Sequence, residues 1–195
     1  MNIPNDRNNI ILIGGGGHCN SCIDVIELEG KYFIQGIIEP FDITDKLNLG
    51  YEVIGVDKNL PELSNVYKNA LVTIGQIKSA EKRIHLYKNL KKFNFSLPII
   101  ISPNAYVSKY SYIGEGTVIM HGSTINSNAK IGVNCIINSQ SLIEHDVAIE
   151  DHCHIATGAK VNGNVLIKEG SFVGSGSIIR EGVVIGKNSV IGAGQ

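Results

Sequence analysis

Residues 125–160 read INSNAK-IGVNCI-INSQSL-IEHDVA-IEDHCH-IATGAK, six blocks of six residues that all begin with isoleucine. The period extends in both directions without insertion or deletion, from Ile101 to Ile191. The fifth position of each block is always small or β-branched. The blocks start at Ile101, Val107, Ile113, Ile119, Ile125, Ile131, Ile137, Ile143, Ile149, Ile155, Val161, Ile167, Val173, Ile179, Ile185 and Ile191. Such a regular hexapeptide period predicts an all-β solenoid, the parallel β-helix.

The hexapeptide period has a direct physical explanation. Short strands of β-branched residues alternate with tight turns that are rich in Gly and Asn. We expect each aliphatic start to point inward and to stack on its counterpart in the next coil, about 4.8 Å away. The chain ends in mid-block at Gln195 without a polar cap, and solenoids need a cap over the last coil. We therefore expect the natural chain to continue beyond Gln195.

Residues 1–97 have a different pattern, in which apolar strands alternate with helices. The first elements form a βαβ unit, which consists of a strand at Ile10–Ile13, a glycine turn, a helical pattern as far as Leu28 and a strand at Tyr32–Ile38. Further elements are predicted as strands at Tyr51–Val56, Ala70–Ile74 and Pro98–Ile101, and as helices at Pro61–Lys68 and Ser79–Leu90, with Ser79 as an N-cap. The predicted domains are a small Rossmann-like α/β domain over 1–97, with an open parallel sheet of four or five strands, and a β-helix over 98–195.

The turn of the βαβ unit is a run of four glycines, Gly14–Gly17, followed by His18. Backbone N–H groups in such a turn approach a phosphate closely, and the helix N-terminus favours its negative charge. The G-x-G-x-x-G spacing fails because Cys19 occupies the third glycine's place. The run therefore predicts either a phosphate-binding loop or a tight turn without a ligand.

Composition excludes several classes of function. The 17 basic and 18 acidic side chains give a net charge of −1, which provides no positive field for nucleic acid. The sequence has no 18-residue apolar run and no apolar core in the opening MNIPNDRNN, so we expect a cytoplasmic protein without a membrane span. Cys19 and Cys22 form a C-x-x-C that is either a redox pair or two reduced thiols on a helix, and its neighbours favour the second.

The densest group of chemically competent residues surrounds one histidine of the repeat. His145 is flanked by Glu144 and Asp146. An imidazole has the pKa of a general base near neutrality, and an adjacent carboxylate orients it and stabilises its cation. The alternative for a lone histidine at this position is a solvated surface residue.

The whole chain resembles the NeuD/PglD group of bacterial sugar acyltransferases. The resemblance rests on the glycine turn with His18, on Asn138, on residues 143–146, on His154 and on residues 158–165. It implies a left-handed β-helix with three blocks and 18 residues per coil, which makes about five coils here. It also implies transfer of an acetyl group from acetyl-CoA to a sugar. The favoured acceptor is the amino group of a nucleotide-activated amino-deoxy sugar.

The resemblance also implies roles for individual residues. His145 would be the general base, tuned by Asp146, and no metal is expected. The implied acetyl-CoA contacts are His154, Gly163 and Ser175. The implied nucleotide-sugar contacts are Gly16, Gly17, His18, Glu39, Gly75, Gln76 and Asn138. Glu39 is followed by Pro40 instead of a second acid, and Asp146 stands where some relatives have Glu, so the substrate stays open.

With 18 residues per coil, sequence spacing has two consequences. Cys135 and Cys153, 18 residues apart, stack inside adjacent coils as small core residues. His145 and His154, nine residues apart, lie half a coil apart and face different sides of the prism. One active site can contain both only if two chains meet, so we expect a homotrimer with three interfacial sites.

Three other functions are compatible with the sequence. One is an O-acetyltransferase acting on a hydroxyl of a sialic-acid-like sugar. A second is a zinc enzyme on the same β-helix, like the gamma carbonic anhydrases, although the spacing of the repeat's histidines does not match that site. The third is a regulatory module that binds a nucleotide sugar without chemistry. The flanked histidine argues against the third, because a scaffold has no need of a supported base.

Overall fold

The computed structural model describes residues 8–41 and 47–195. Its contacts divide the chain into two compact units. The first contains Met1–Gly75 and His85–Pro98, and the second contains Gln76–Ile84 and Ile99–Gln195. A nine-residue segment from the first half of the chain therefore belongs to the unit that carries the hexapeptide blocks.

The first unit is an α/β structure built on one five-stranded sheet. Its elements are β1 (Asn9–Ile13), α1 (Gly17–Glu29), β2 (Phe33–Glu39), β3 (Leu47–Asn48), β4 (Tyr51–Val56), α2 (Leu60–Leu63) and β5 (Asn69–Val72), followed by α3 (Glu81–Lys92), whose first turn falls in the second unit. The strand order is β3-β4-β2-β1-β5. All neighbours are parallel except β3 and β4. The predicted Rossmann-like class is confirmed, with an antiparallel edge strand that the sequence pattern missed.

Burial explains why this sheet forms. Strand β1 and the edge strand β5 are almost wholly buried, as expected for parallel strands covered on both faces. Helix α1 buries five residues, Cys19, Cys22, Ile23, Val25 and Ile26. Both cysteines are free thiols. Side chains of β1, β2, β5, α2 and the later part of α3 pack into one hydrophobic cluster.

One predicted helix is much shorter than expected. The pattern predicted Pro61–Lys68, whereas α2 ends at Leu63. The side chains of Ser64 and Asn65 both donate hydrogen bonds to the carbonyl oxygen of Pro61. Such local bonds compete with helical bonds and favour a turn. Helix α3 begins at Glu81, two residues after the predicted N-cap Ser79. The Ser79 hydroxyl still accepts a hydrogen bond from the backbone N–H of Glu81.

The second unit is the predicted β-helix. Its two-residue strands recur every six residues as β6 (Ile100–Ile101), β7 (Tyr106–Val107), β8 (Tyr112–Ile113), β9 (Val118–Ile119), β10 (Thr124–Ile125), β11 (Lys130–Ile131), β12 (Ile136–Ile137), β13 (Leu142–Ile143), β14 (Ala148–Ile149), β15 (His154–Ile155), β16 (Lys160–Val161), β17 (Leu166–Ile167), β18 (Phe172–Val173), β19 (Ile178–Ile179), β20 (Val184–Ile185) and β21 (Val190–Ile191). They form three parallel sheets, in which every third strand belongs to the same sheet. The strand orders are β6-β9-β12-β15-β18-β21, β7-β10-β13-β16-β19 and β8-β11-β14-β17-β20. Each strand pairs with the strand 18 residues away, as Ile125 does with Ile143. The coil length is therefore 18 residues, consistent with a left-handed β-helix.

The interior of the β-helix contains the residues that the repeat predicted. The block starts and the apolar residues at the fifth position form one continuous hydrophobic cluster, which includes Cys135 and Cys153. Both cysteines are free and buried, and burial raises the pKa of the Cys135 thiol to about 12. They are therefore inert core residues at neutral pH.

The turns share one backbone conformation that the period did not reveal. The fourth residue of every block from Gly116 to Gly194 has a φ between 52° and 72°. Gly and Asn occupy most of these left-handed positions, as sterics require. The exceptions are Gln140, Asp146 and His152, with φ of 59°, 60° and 61°. The fold thus holds Asp146 in a conformation that Asn would also adopt.

Candidate active site

His145 and Asp146 form a hydrogen-bonded pair in the turn after β13. The Nδ1–H of His145 donates to Oδ2 of Asp146 at 2.8 Å. The imidazole is 56% exposed, so it faces outward from the β-helix core. Because Nδ1 carries the proton, Nε2 of the neutral imidazole has the lone pair. That nitrogen is available to accept a proton from a substrate.

Residues one coil earlier hold this pair in place. The Nδ2 of Asn128 donates to Oδ1 of Asp146 at 2.5 Å. The Nδ2 of Asn126 donates to Oε2 of Glu144 at 2.9 Å, and the same oxygen accepts from the backbone N–H of His145 at 3.3 Å. Both acids that flank His145 are therefore anchored by asparagines 18 residues before them. These two asparagines are not among the site residues that the sequence indicated, although the coil length predicts their position.

Gly163 lies against the imidazole on the other side, one coil later. A Cβ atom at Gly163 would stand 2.8 Å from Cε1 and 3.0 Å from Nε2 of His145. The φ of Gly163 lies outside the left-handed region, so the backbone conformation does not require glycine. An added Cβ at this position would instead displace the imidazole ring of His145.

Electrostatics shift the pKa values of both members of the pair in opposite directions. The hydrogen bond to Asp146 raises the pKa of His145 above its ordinary value of 6.5, and the charges of Asp146, Glu144 and Glu181 add to that effect. The hydrogen bond from Asn128, followed by that from His145, lowers the pKa of Asp146. Asp146 is therefore a carboxylate at neutral pH, and His145 is a stronger base than a free imidazole.

His154 has the opposite surroundings. It is buried on β15, and its Nδ1–H donates to the backbone carbonyl oxygen of Gln76 at 2.8 Å. The Nδ2 of Asn138 lies 3.3 Å from Nε2, and the ring meets Phe172 edge-on with 5.1 Å between centroids. Burial lowers the pKa of His154 to about 4. His154 is thus neutral near pH 7, with its lone pair on Nε2.

Gln76 belongs to the His154 group. Besides its carbonyl contact, its Nε2 donates to the carbonyl oxygen of Gly170 at 2.9 Å, and its Oε1 accepts from Arg83 at 3.2 Å. The segment that contains Gln76 is thereby fastened to the β-helix. The structure therefore brings Gln76, Asn138 and His154 together.

The single chain does not bring the two histidines into one cluster. His145 follows a strand of the β13 sheet, whereas His154 lies on β15 in another sheet. Each histidine has its own set of hydrogen-bond partners. Ser175, another implied acetyl-CoA contact, is exposed in the turn after β18.

The candidates of the first unit gather at the carboxyl ends of its strands. Gly16 is the N-cap of α1 and Gly17 its first residue, and a Cβ atom at either position would meet no atom within 4 Å. Gly75 follows β5, and a Cβ there would lie 3.8 Å from Cβ of His18. The buried Glu39 ends β2. This edge of a parallel sheet is where ligands bind in such folds.

The glycines of the turn divide into two kinds. Gly14 has a φ of 99°, and a Cβ there would collide with Ile74. A Cβ at Gly15 would stand 2.8 Å from Oε1 of Glu39. Folding alone therefore explains Gly14 and Gly15, whereas nothing in the described structure requires glycine at positions 16 and 17.

Two general features of the described residues bear on other functions. Within 8–41 and 47–195, no helix combines the length and apolar character needed to cross a bilayer. The same residues contain no cluster of three or more His, Cys, Asp or Glu side chains arranged to hold a metal ion.

Comparison with known families matches both parts of the chain. Residues 9–90 match the PglD N-terminal domain. Residues 110–145 and 164–194 match the bacterial transferase hexapeptide repeats. No curated protein matches this chain by sequence.

Solved structures resemble the chain over nearly its full length. The acetyltransferase domain of PglB from Neisseria gonorrhoeae, in complex with acetyl coenzyme A, is 28% identical with a TM-score of 0.87, covering 96% of this chain and 89% of that one. A histidine-to-asparagine variant of perosamine N-acetyltransferase from Caulobacter crescentus, in complex with CoA and GDP-perosamine, is 30% identical with a TM-score of 0.76, covering 95% and 86%. WeeI from Acinetobacter baumannii is 25% identical with a TM-score of 0.83, covering 95% and 89%.

Together, the two domain matches and the 30% identity over nearly the whole length define the class, a hexapeptide-repeat acyltransferase with an α/β N-terminal unit. The chain belongs to the PglD/NeuD family of bacterial sugar acyltransferases. The resemblance noted in the sequence is thereby confirmed.

Proposed function

We propose that the protein transfers the acetyl group of acetyl-CoA to the amino group of a nucleotide-activated amino-deoxy sugar. The observation that carries this proposal is the exposed His145, whose Nδ1–H is bonded to Asp146 and whose Nε2 therefore has the lone pair. Similar structures support the substrates, since one contains acetyl coenzyme A and another contains CoA with GDP-perosamine.

In the proposed reaction, Nε2 of His145 removes a proton from the acceptor amine as the amine nitrogen attacks the thioester carbonyl. A C–N bond forms, and the tetrahedral intermediate then breaks its C–S bond. The proton on His145 passes to the departing thiolate, so the imidazole returns to its starting form. Asp146 stabilises the imidazolium that exists between these two proton transfers.

His154 has a limited role in this mechanism. Its proton is on Nδ1 and is directed to Gln76, while burial keeps the ring neutral. It therefore cannot donate a hydrogen bond from Nε2 to an oxyanion. We propose that His154 contacts the thioester end of acetyl-CoA, with Gly163 and Ser175 as further contacts, while backbone N–H groups stabilise the oxyanion.

We propose that the glycine turn of the first unit binds a phosphate of the nucleotide sugar. The exposed Gly16 and Gly17 open α1, a helix of 13 residues without an acidic residue in its first turn. Its N-terminus favours an anion. Gly17→Val should raise the KM for the acceptor far more than the KM for acetyl-CoA, with Gly186→Ala as a glycine control outside this turn. An equal rise in the KM for the acceptor and the KM for acetyl-CoA would mean that the turn has only a structural role.

We propose that the active form is a homotrimer. An active site that uses both histidines needs two chains, because they belong to different sheets with separate partners. A cyclic trimer supplies three equivalent sites, each with His145 from one chain and His154 from its neighbour. Sedimentation velocity at micromolar concentration tests the assembly, and an active monomer would refute it.

The test of the proposed reaction is a panel of acceptors. UDP-, GDP- and TDP-linked amino sugars are each incubated with acetyl-CoA, and CoA release is followed together with the product's mass. Sialic-acid-type sugars and nucleotide sugars with a hydroxyl in place of the amine serve as comparison acceptors. Turnover confined to an amino sugar supports the proposal, whereas turnover confined to hydroxyl acceptors would replace it with O-acetylation.

A further inference from the structure

A groove lies at the N-terminal end of the His145 corner, which we define as the stacked turns at residues 108–110, 126–128, 144–146, 162–164 and 180–182. Its polar and aromatic lining consists of Tyr106, Ser108, Lys109, Tyr110, Asn126 and Ser127. None of these six is among the site residues that the sequence indicated. All of them belong to the second unit.

The groove has the amphipathic lining of a small-molecule site. Tyr106 is 60% exposed and Tyr110 is 69% exposed, so two aromatic rings face solvent. The ammonium of Lys109 lies 4.9 Å from the centroid of the Tyr110 ring. Aromatic faces bind the apolar C–H faces of ring-shaped ligands, and a lysine beside them binds an anion.

Hydrogen bonds link residues that line the groove to the residues around the proposed base. Asn126, which lines the groove, donates to Glu144, which accepts from the backbone N–H of His145. The carbonyl oxygen of Ser127 accepts from the backbone N–H of Asp146 at 3.2 Å. A ligand that contacts Asn126 or Ser127 therefore lies one coil from His145, about 5 Å along the stack.

The repeat also determines the distance between His145 and Lys109. Lys109 and His145 occupy the same block position two coils apart, since they are separated by 36 residues with Ser127 midway. Two coils span about 10 Å. A hexose ring with its first phosphate bridges such a distance, with its reacting group at the base and its phosphate at the ammonium.

The donor is expected on the opposite side. Gly163 lies one coil after His145, and Ser175 lies in a still later turn, whereas the groove precedes His145. In acyl transfer the acceptor nitrogen must lie beside both the base and the thioester carbon, so acceptor and donor approach His145 from different sides. The groove is therefore on the acceptor side of the base.

We propose that this groove binds the sugar ring of the acceptor against Tyr106 and Tyr110, with Lys109 at the sugar-linked phosphate. The assignment rests on the proposed function and deepens it, because it locates the reacting part of the nucleotide sugar on the β-helix.

The test compares variants in the groove with matched variants outside it. Tyr110→Ala and Lys109→Met are paired with Tyr112→Ala and Lys130→Met; Tyr112 is 63% exposed and Lys130 is exposed, and neither lines the groove. We expect each groove variant to raise both the KM and the Kd of the nucleotide sugar at least tenfold, about 1.4 kcal/mol. The KM for acetyl-CoA and the thermal midpoint should stay unchanged, and both controls should match wild type.

Equilibrium binding, measured by calorimetry without acetyl-CoA, separates this proposal from the proposed function. If wild type binds a nucleotide sugar but releases no CoA, the reaction is wrong, while weaker binding by the groove variants still supports the groove. Unchanged acceptor binding in both groove variants would overturn the groove assignment and leave the reaction intact. A raised KM for acetyl-CoA alone would assign the groove to the donor, and failure of wild type to bind any sugar would overturn both proposals.

Discussion

Gly163→Ala tests whether the imidazole of His145 needs its glycine neighbour. The added Cβ would stand 2.8 Å from Cε1 and 3.0 Å from Nε2, whereas ordinary contacts begin at 3.4 Å. The ring must therefore retreat by roughly 0.6 Å, since the buried backbone of the next coil has little room to yield. Misplacement of a catalytic group by 1 Å can cost about 100-fold. We expect kcat to fall by about 30- to 100-fold.

The assay is steady-state CoA release at saturating acetyl-CoA and acceptor, with circular dichroism to confirm the fold. Gly186→Ala is the matched control, because Gly186 is also outside the left-handed region and its Cβ would meet nothing closer than 3.4 Å. That variant should retain wild-type kcat. A wild-type kcat for Gly163→Ala would refute the reasoning. An increase confined to the KM for acetyl-CoA would mean that Gly163 serves the donor alone.

Three further predictions follow from the two histidines and their partners. Asp146→Asn should fold normally, because Asn suits a φ of 60°, yet kcat should fall and the acid limb of the pH–rate profile should move to lower pH, since the carboxylate that raises the pKa of His145 is lost. His154 has a folded pKa of about 4, below its unfolded value of 6.5, so its contribution to stability is complete above pH 6.5 and is lost as the pH falls toward 4. Urea unfolding gives the free energy of unfolding at pH 7 and at pH 4.5. The decrease between these two pH values should be smaller by about 2–3 kcal/mol in His154→Gln than in wild type, and equal decreases would contradict a lowered pKa of His154. Co-refolding equal amounts of the His145→Ala and His154→Ala variants, assayed at an acetyl-CoA concentration too low for either variant to turn over alone, should restore about a quarter of the wild-type activity, because random trimers contain that share of intact sites, and no recovery would rule out a shared site.

The β-helix was predictable because its rule is local and repeats. A six-residue period with inward Ile or Val specifies coil length, core and strand pairing, as the register of Ile125 with Ile143 confirms. The same rule predicts that Asn128 supports Asp146 and that Gly163 lies beside His145, each 18 residues away. These contacts were missed because each residue was considered without its neighbours in the stack.

Contacts that do not follow the six-residue period could not be predicted from the sequence. The bond from His154 to Gln76 joins residues 78 positions apart, and no pattern predicts that Gln76–Ile84 belongs to the β-helix unit. That bond decides the tautomer of His154 and removes it as an oxyanion donor. The early end of α2 depends on hydrogen bonds from Ser64 and Asn65, which propensity alone does not resolve.

The central claim is that His145 is the base for acetyl transfer to a nucleotide-linked amino sugar. The most direct measurement is CoA release by wild type and His145→Ala, each at saturating acetyl-CoA and amino sugar, with acetyl-CoA binding measured separately. We predict that His145→Ala lowers turnover by about 100- to 10,000-fold while acetyl-CoA binding and folding stay unchanged, because the ring faces outward from the core. Wild-type turnover by His145→Ala would contradict the account.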